Sequence, residues 1–445
     1  MVLLNALATP MMLSASNAAL PMISESLQLN AVALSWIPMA FLMTSAMFIL
    51  IAGRLADLYG RKRIFVVGTS CVIASSVLAA LSVDAASLIT ARALQGVSAA
   101  LNYSTQVALI SSVMPAASRG RAIAWTISFV YIGLASGPVL GGLALEWINW
   151  RAVFVIQIPL SLVALFIGFF KVREDWYGER KGGFDFLGAF YYALGIAFIC
   201  IAVSQLPQWH AAFIFILGIV TLGFFIKHSR QKSHPLWDLK LFFSNRIFSL
   251  SCLAAFIIYS ATYANVVLIS LYLQYLKGFS ASAAGAVMMA QPLMMALFSP
   301  LAARLAEKVE PRIVASIGMG LTGLSLLLLS TLDQHSGLMS IVLPLMLTGL
   351  GFSLFSSPNV NAAMGSVPPT LFGSASATVA MMRILGQLTS MVLVTLCIAL
   401  ILGPVQITSS HFEGLAKAIQ VCFVVAALLC IPGFISSLVR GRVNQ

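Results

Sequence analysis

The sequence predicts an all-α polytopic membrane protein, and three observations predict it. Of 445 residues, 60% are hydrophobic and 9% charged, with a mean hydropathy of +0.99. A soluble chain is about half apolar and about a quarter charged. The apolar residues form continuous runs, and crossing the ~30 Å hydrocarbon layer takes about 20 such residues in a helix. The basic residues, finally, gather on one side of those runs from end to end. Barrel strands would be short and alternating, so a β-barrel is excluded. Six cysteines (Cys71, Cys200, Cys252, Cys397, Cys422, Cys430) lie inside apolar runs without paired spacing. They read as small buried hydrophobes rather than metal ligands or a disulfide framework.

Taken in order, the runs predict helices near residues 2–23, 32–53, 64–83, 87–112, 122–145 and 152–171. Two more follow near 186–205 and 209–227, then six near 247–271, 282–304, 313–332, 338–360, 375–402 and 416–438. That makes about fourteen spans. The first begins at Val2 without the basic leader of a signal peptide, and reads as a full first span with a missing leader. Lys and Arg are retained in short cytoplasmic loops. With the N-terminus inside, all but five of the 25 Lys and Arg fall on cytoplasmic loops or the C-terminus. Arg151, Lys277 and Lys417 lie outside, and Arg92 and Arg383 lie within helices. A wrong helix count would invert this bias partway along the chain. The formal charge of +12 therefore orients the chain on an anionic inner leaflet and is not a nucleic-acid footprint. The expected location is the plasma membrane (a bacterial inner membrane), with both termini cytoplasmic and with membrane lipids and a small-molecule substrate as partners.

The loop after the second helix, Gly53-Arg54-Leu55-Ala56-Asp57-Leu58-Tyr59-Gly60-Arg61-Lys62-Arg63, is echoed by Ala303-Arg304-Leu305-Ala306-Glu307 after the tenth. Leu94-Gln95-Gly96 echoes Leu347-Thr348-Gly349 more weakly. The simplest organisation is an N-terminal six-helix bundle over 1–171, a linker with two extra helices over 172–246, and a C-terminal six-helix bundle over 247–445. Halves related in this way are a transporter architecture with the substrate site between them.

Three motifs then carry a family resemblance. Gly53–Arg63 resembles the loop signature of the major facilitator superfamily. Leu88-Ile89-Thr90-Ala91-Arg92-Ala93-Leu94-Gln95-Gly96 resembles its fourth-helix motif, and Gly133-Leu134-Ala135-Ser136-Gly137-Pro138-Val139-Leu140-Gly141-Gly142 its fifth-helix antiporter motif. With Asn149–Pro159 and Pro235–Phe242 and fourteen spans, the chain resembles the drug:proton antiporter branch that includes the EmrB/QacA multidrug exporters. The resemblance implies a two-bundle major facilitator fold. It further implies a conformational latch at Asp57, Gly60 and Arg61, and a part for Arg92 in proton transfer or its coupling. Physical reading adds that Gly133, Gly137 and Gly141 share one helix face, beside Pro138, and serve close packing, a seal against leakage, or both. Arg92 is a costly charge inside a span, which marks function or a structural pairing.

Every Asp and Glu is assigned to a loop or helix end, and all five His lie outside the spans. Relatives in this branch usually carry an Asp nine residues before an Ala-Leu-Pro helix end; here Ala19-Leu20-Pro21 puts Met12 at that position. Proton antiport and dicationic drugs are therefore less supported than export, with Asp57 and Glu146 as remaining coupling acids. Candidates for ligand contact at mid-depth are Asn17, Asn102, Tyr103, Gln106, Trp125, Tyr259, Tyr263, Asn265 and Gln291, with Arg383 near the inner vestibule. Each alone also fits an interhelical hydrogen bond. No span carries paired acids, a His cluster or a Ser/His/Asp set, which argues against an enzyme. A Walker loop is missing, so the expectation is a proton gradient as energy source, with no cofactor and no metal. The resulting expectation is a secondary transporter exporting amphipathic drugs or toxic organic compounds. The alternative is a carrier of an anionic or neutral metabolite without classical proton coupling. A periplasmic adaptor partner stays open.

Overall fold

Polar residues placed just before the apolar runs start the helices. Asn30, Asp84, Asp185, Asn245 and Ser280 each accept a hydrogen bond from a first-turn backbone N–H. Each satisfies a donor that lipid would leave unpaired. The computed structural model describes residues 1–178, 183–368 and 371–441. Glu179, Arg180, Lys181 and Arg442, used above in placing charge, lie outside the described residues, as do the side chains of Arg119, Arg121 and Glu307.

We number the long helices α1 (Val2–Ala18, continued after a 57° bend by Leu20–Ser26), α2 (Ala31–Tyr59), α3 (Arg61–Ala80), α4 (Ala85–Val113), α5 (Trp125–Trp147), α6 (Ala152–Lys171), α7 (Phe186–Ser204) and α8 (Trp209–Gln231). Then follow α9 (Arg246–Leu276), α10 (Ala281–Ala306), α11 (Pro311–Leu329), α12 (Met339–Gly365), α13 (Ser374–Ile401) and α14 (Ser409–Val439). The bend in α1 falls at Ala19, where Pro21 cannot continue the backbone ladder. Twelve of these helices are long and apolar enough to cross a membrane, and the bent α1 makes thirteen. The sequence reading of about fourteen spans includes α4 as well. That helix has the length, at 29 residues, but Arg92, Gln95, Asn102 and Gln106 pull its hydropathy down.

Packing repeats itself along the chain. In the first set α1 lies on α5, α2 on α4, and α3 on α4 and α6; eight helices later α9 lies on α13, α10 on α12, and α11 on α12 and α14. The faint echo of Gly96 in Gly349 is thereby explained. A Cβ on Gly96 would collide with the Phe41 carbonyl of α2, and one on Gly349 with the Gln291 carbonyl of α10. Both glycines let two backbones touch at equivalent crossings. The two sets meet along α2–α13 and α5–α10, while α7 and α8 pair with each other and α7 leans on α2 and α13.

One end of the bundle carries Arg61, Lys62, Arg63 and Arg246, and we call it the basic end. At the opposite end hydrogen bonds close the two sets together. Ala31 N donates to Val405 O at 2.9 Å, Gln406 Nε2 to Gln28 Oε1 at 3.1 Å, and Gln274 Nε2 to Ala18 O at 2.8 Å.

Candidate functional site

The site is built around Arg92. Asp84 caps α4 and shares a reciprocal pair of bonds with Ser87, which sets the register two turns before Arg92 points into the first helix set. Its side chain is 0% exposed. Nε donates to Ile37 O at 3.2 Å, and Nη1 donates to Gln95 Oε1 at 2.8 Å and to Met12 Sδ at 3.4 Å. The guanidinium lies over the Phe41 ring at 4.8 Å and near the Phe154 ring at 5.9 Å. Nη2 has no acceptor. Gln95 is held in turn by Ser76 Oγ, which also receives Gln157 Nε2 at 2.6 Å, so α3, α4 and α6 support the cation jointly. Met12, the position singled out by its missing carboxylate, is thus a direct neighbour of Arg92.

From Arg92 a polar and aromatic group extends between the two helix sets. Tyr103 of α4 and Tyr263 of α9 are within electrostatic reach of Arg92, and Asn17 of α1 lies beside Tyr263. Asn17 Oδ1 and Tyr263 Oη are buried, and neither makes a hydrogen bond of good geometry. On the other side the Arg383 guanidinium sits 5.7 Å from the Tyr103 ring and adjoins Tyr259. Arg383 is half-buried and points across the bundle instead of out to the basic end. Tyr131 Oη donates to Ser356 Oγ at 3.4 Å, joining α5 to α12, and the Tyr259 ring meets Phe352 edge-on at 5.2 Å. The structure therefore brings Asn17, Arg92, Tyr103, Tyr259, Tyr263 and Arg383 into one neighbourhood. Tyr131 and Ser356 join it. Sequence reading passed over both, although Tyr131 stands two residues before the glycine stripe on the same helix.

Five candidates lie elsewhere. Asn102 accepts from Thr69 Oγ1 at 3.3 Å inside the first set, and Gln106 donates to Asn5 Oδ1 at 3.0 Å, tying α4 to α1. Asn265 lines a cavity of about 10 Å³ with Ser260, Ser390 and Cys422, within the second set. Trp125 is 56% exposed and stands apart from the buried group. A tryptophan gives no sign in the sequence of which face of a membrane helix it occupies, since lipid and core are both apolar. Gln291 is half-buried, with its backbone carbonyl against Gly349.

At the basic end the loop motif is folded onto the segment that follows α6. Arg61 Nη2 pairs with Asp57 Oδ1 at 2.9 Å, and its Nη1 donates to Ser112 Oγ of α4 at 2.7 Å. Asp175 caps α3 by accepting from Lys62 N at 2.8 Å and Arg63 N at 3.3 Å. An anion at a helix N-terminus also faces the favourable end of the dipole. Gly60 has φ +112°, and a Cβ there would strike the Asp175 carboxylate. Gly178 N donates to Asp57 O at 3.2 Å. Asp57, Gly60 and Arg61 are therefore gathered with Asp175, a residue whose part no local pattern announces.

The glycine stripe faces α1. A Cβ on Gly137 would lie 2.5 Å from Met11 O, and one on Gly141 2.8 Å from Ala15 Cβ; on Gly133 it would strike Leu7 O. Ser14 Oγ donates to Leu134 O across the same seam at 3.2 Å. The Pro138 carbonyl faces Gly285 of α10, so one turn of α5 touches both sets.

Two charged groups near helix ends are more buried than their position suggests. Arg440, at the C-terminal end as expected, is 0% exposed and donates through Nη1 to Asn359 Oδ1 at 2.6 Å and Ser251 Oγ at 3.3 Å. The expectation that all five His lie outside the spans is corrected at the helix ends: His210 and His411 stand in the first turns of α8 and α14, and His228 in the last turns of α8, 2.8 Å from the buried Asp185 that caps α7.

Comparison with known proteins adds the following. The family model described as Major Facilitator Superfamily matches residues 2–235 and 251–443. The chain is 29% identical to the riboflavin transporter RibZ of Clostridioides difficile (strain 630), over 94% of this chain and 91% of that protein. It is 30% identical to the multidrug resistance protein Stp of Mycobacterium tuberculosis (strain CDC 1551 / Oshkosh), over 83% of this chain and 70% of that protein. The fold is similar to the solved POT family transporter PepTSo, with a TM-score of 0.70 at 16% identity, covering 98% of this chain and 97% of that one.

Proposed function

This chain belongs to the Major Facilitator Superfamily, and from that premise we propose that it is a secondary active transporter, not an enzyme, exporting amphipathic organic compounds by alternating access. In this reading residues 1–171 and 247–445 rock against each other, 172–246 connects them, and the basic end is cytoplasmic in the plasma membrane. The observation that carries the proposal is the shared neighbourhood of Asn17, Arg92, Tyr103, Tyr263 and Arg383, to which both helix sets contribute. Aromatic walls with a few unpaired polar atoms are how small-molecule sites are built. The names of the relatives, a multidrug resistance protein and a riboflavin transporter, support a planar or amphipathic cargo.

A proton gradient is the proposed energy source, with Asp57 and Glu146 at helix ends as the coupling acids. A second reading, a carrier of an anionic or neutral metabolite, is favoured by Arg92, whose Nη2 meets no acceptor. Inside-out vesicles energised by respiration, with a pH-sensitive dye, test the proposal. Cationic, neutral and anionic aromatic compounds are added to wild type and to an Asp57→Asn, Arg92→Ala double variant. Substrate-specific collapse of the gradient in wild type alone is the expected result. Labelled-compound uptake with an unchanged gradient overturns antiport, and no uptake of any compound overturns export.

A further inference from the structure

We infer that Arg92 is the receptor for an anionic group of the cargo, and that the compounds bound between the helix sets are organic anions, aromatic carboxylates being the simplest members. This rests on the transport reading above and narrows its substrate class.

A guanidinium has five N–H donors and stays charged at any accessible pH. Three contacts satisfy Nε and Nη1: a backbone carbonyl, a neutral amide and a thioether sulfur. None carries charge, and sulfur is a weak acceptor. Among the described residues no carboxylate lies within ion-pair distance of Arg92. Nη2 is buried with nothing to donate to. A buried charge in this condition is costly unless an opposite charge arrives. The aromatic faces of Phe41 and Phe154 offset part of the cost but leave the Nη2 donors unspent.

The surroundings point the same way. Tyr263 Oη, buried beside Asn17 with no hydrogen bond of good geometry, can donate, and it belongs to the opposite helix set from Arg92. Arg383 adds a second positive charge beyond the Tyr103 ring. Two cations and a buried tyrosine hydroxyl around aromatic rings suit a flat molecule with an acidic edge. They reject a cationic one, which would meet like charge. An anion accepted by Arg92 and Tyr263 together would also bridge the two sets.

The test uses the purified full chain and three probes of one shape: naphthalene-2-carboxylate, its methyl ester, and 2-naphthylmethylammonium. Affinity is read by thermal protection, independently of transport. Wild type should bind the carboxylate about tenfold or more tightly than the ester, the order of one charge-assisted hydrogen bond, and the ammonium most weakly. In Arg92→Gln the carboxylate-to-ester ratio should fall to about one, and Arg92→Lys should restore part of it. Met12→Asp, which places an internal carboxylate beside Nη1, should lower the ratio as Arg92→Gln does. Equal binding of the three probes by wild type, or a ratio unchanged in Arg92→Gln, overturns the inference while leaving export standing. Carboxylate-selective binding without vesicle uptake overturns export while leaving the inference standing. Protection by sodium chloride equal to that by the carboxylate overturns the organic-anion assignment.

Discussion

At the scale of single residues, Gly60 shows how one position serves two constraints. Its φ of +112° is one that side-chain-bearing residues rarely adopt, and the space a Cβ would fill belongs to Asp175. Asp175 in turn holds the first backbone N–H groups of α3. Gly60→Ala should therefore cost about 1–3 kcal/mol, the usual range for a strained backbone position, seen as a lower melting temperature of the purified protein. The collision and the strain can be separated. In an Asp175→Ala background the same substitution should cost less, because only the φ strain remains, and a double-mutant cycle reads the difference. Equal cost in both backgrounds would show that the carboxylate gives way freely. Gly60 was legible as part of a motif. Asp175 was not, because its role depends on a chain reversal that brings two loops more than a hundred residues apart to the same helix end.

At the scale of elements, glycine is informative only where another backbone approaches. Gly137 on α5 lies against Met11 and Ser14 of α1, whereas Gly223 on α8 has nothing within 4 Å of a Cβ position. Gly137→Val should drive α1 and α5 apart, costing about 1–3 kcal/mol or more, as overpacking does. Gly223→Ala should be neutral or stabilising by up to about 1 kcal/mol, since alanine is the better helix former. Thermal unfolding in detergent compares the two directly; similar losses in both would mean that the α1–α5 seam tolerates expansion. The four-residue spacing of Gly133, Gly137 and Gly141 exposed the stripe in the sequence. Its partner helix stayed hidden, because spacing identifies a face and not what covers it.

At the scale of the whole molecule, the structure shows the two helix sets closed at the end opposite the basic loops. Alternating access demands that this end open, so a bond across it should stop the cycle. Gln28 and Gln406, 3.1 Å apart through their side chains, are suitable sites. A Gln28→Cys, Gln406→Cys pair, in a background with the exposed Cys71 replaced, should cross-link under mild oxidation and lose transport in vesicles. Reductant should restore it. Full transport by the cross-linked protein would sink the alternating-access mechanism, whatever the cargo. The pairing of α1 with α5 and α9 with α13 supplies the symmetry for such a motion, but Arg92 does not share in it. The equivalent stretch of α12, three residues before Thr348, has Leu345.

What the sequence by itself determined is what depends on position along the chain: the membrane class, the order of the helices, the side on which the basic loops lie, and the recurring loop. Hydropathy and charge are local quantities, and lipid reads them one span at a time. Tertiary structure alone decided which side chains share a site. Met12 against Arg92, Asn17 beside Tyr263, Arg383 over Tyr103 and the exposure of Trp125 follow from the rotation of each helix about its own axis. In water an amphipathic stripe reports that rotation. In lipid the outer face is as apolar as the core, so the stripe fades, and only packing fixes the direction in which each polar residue points.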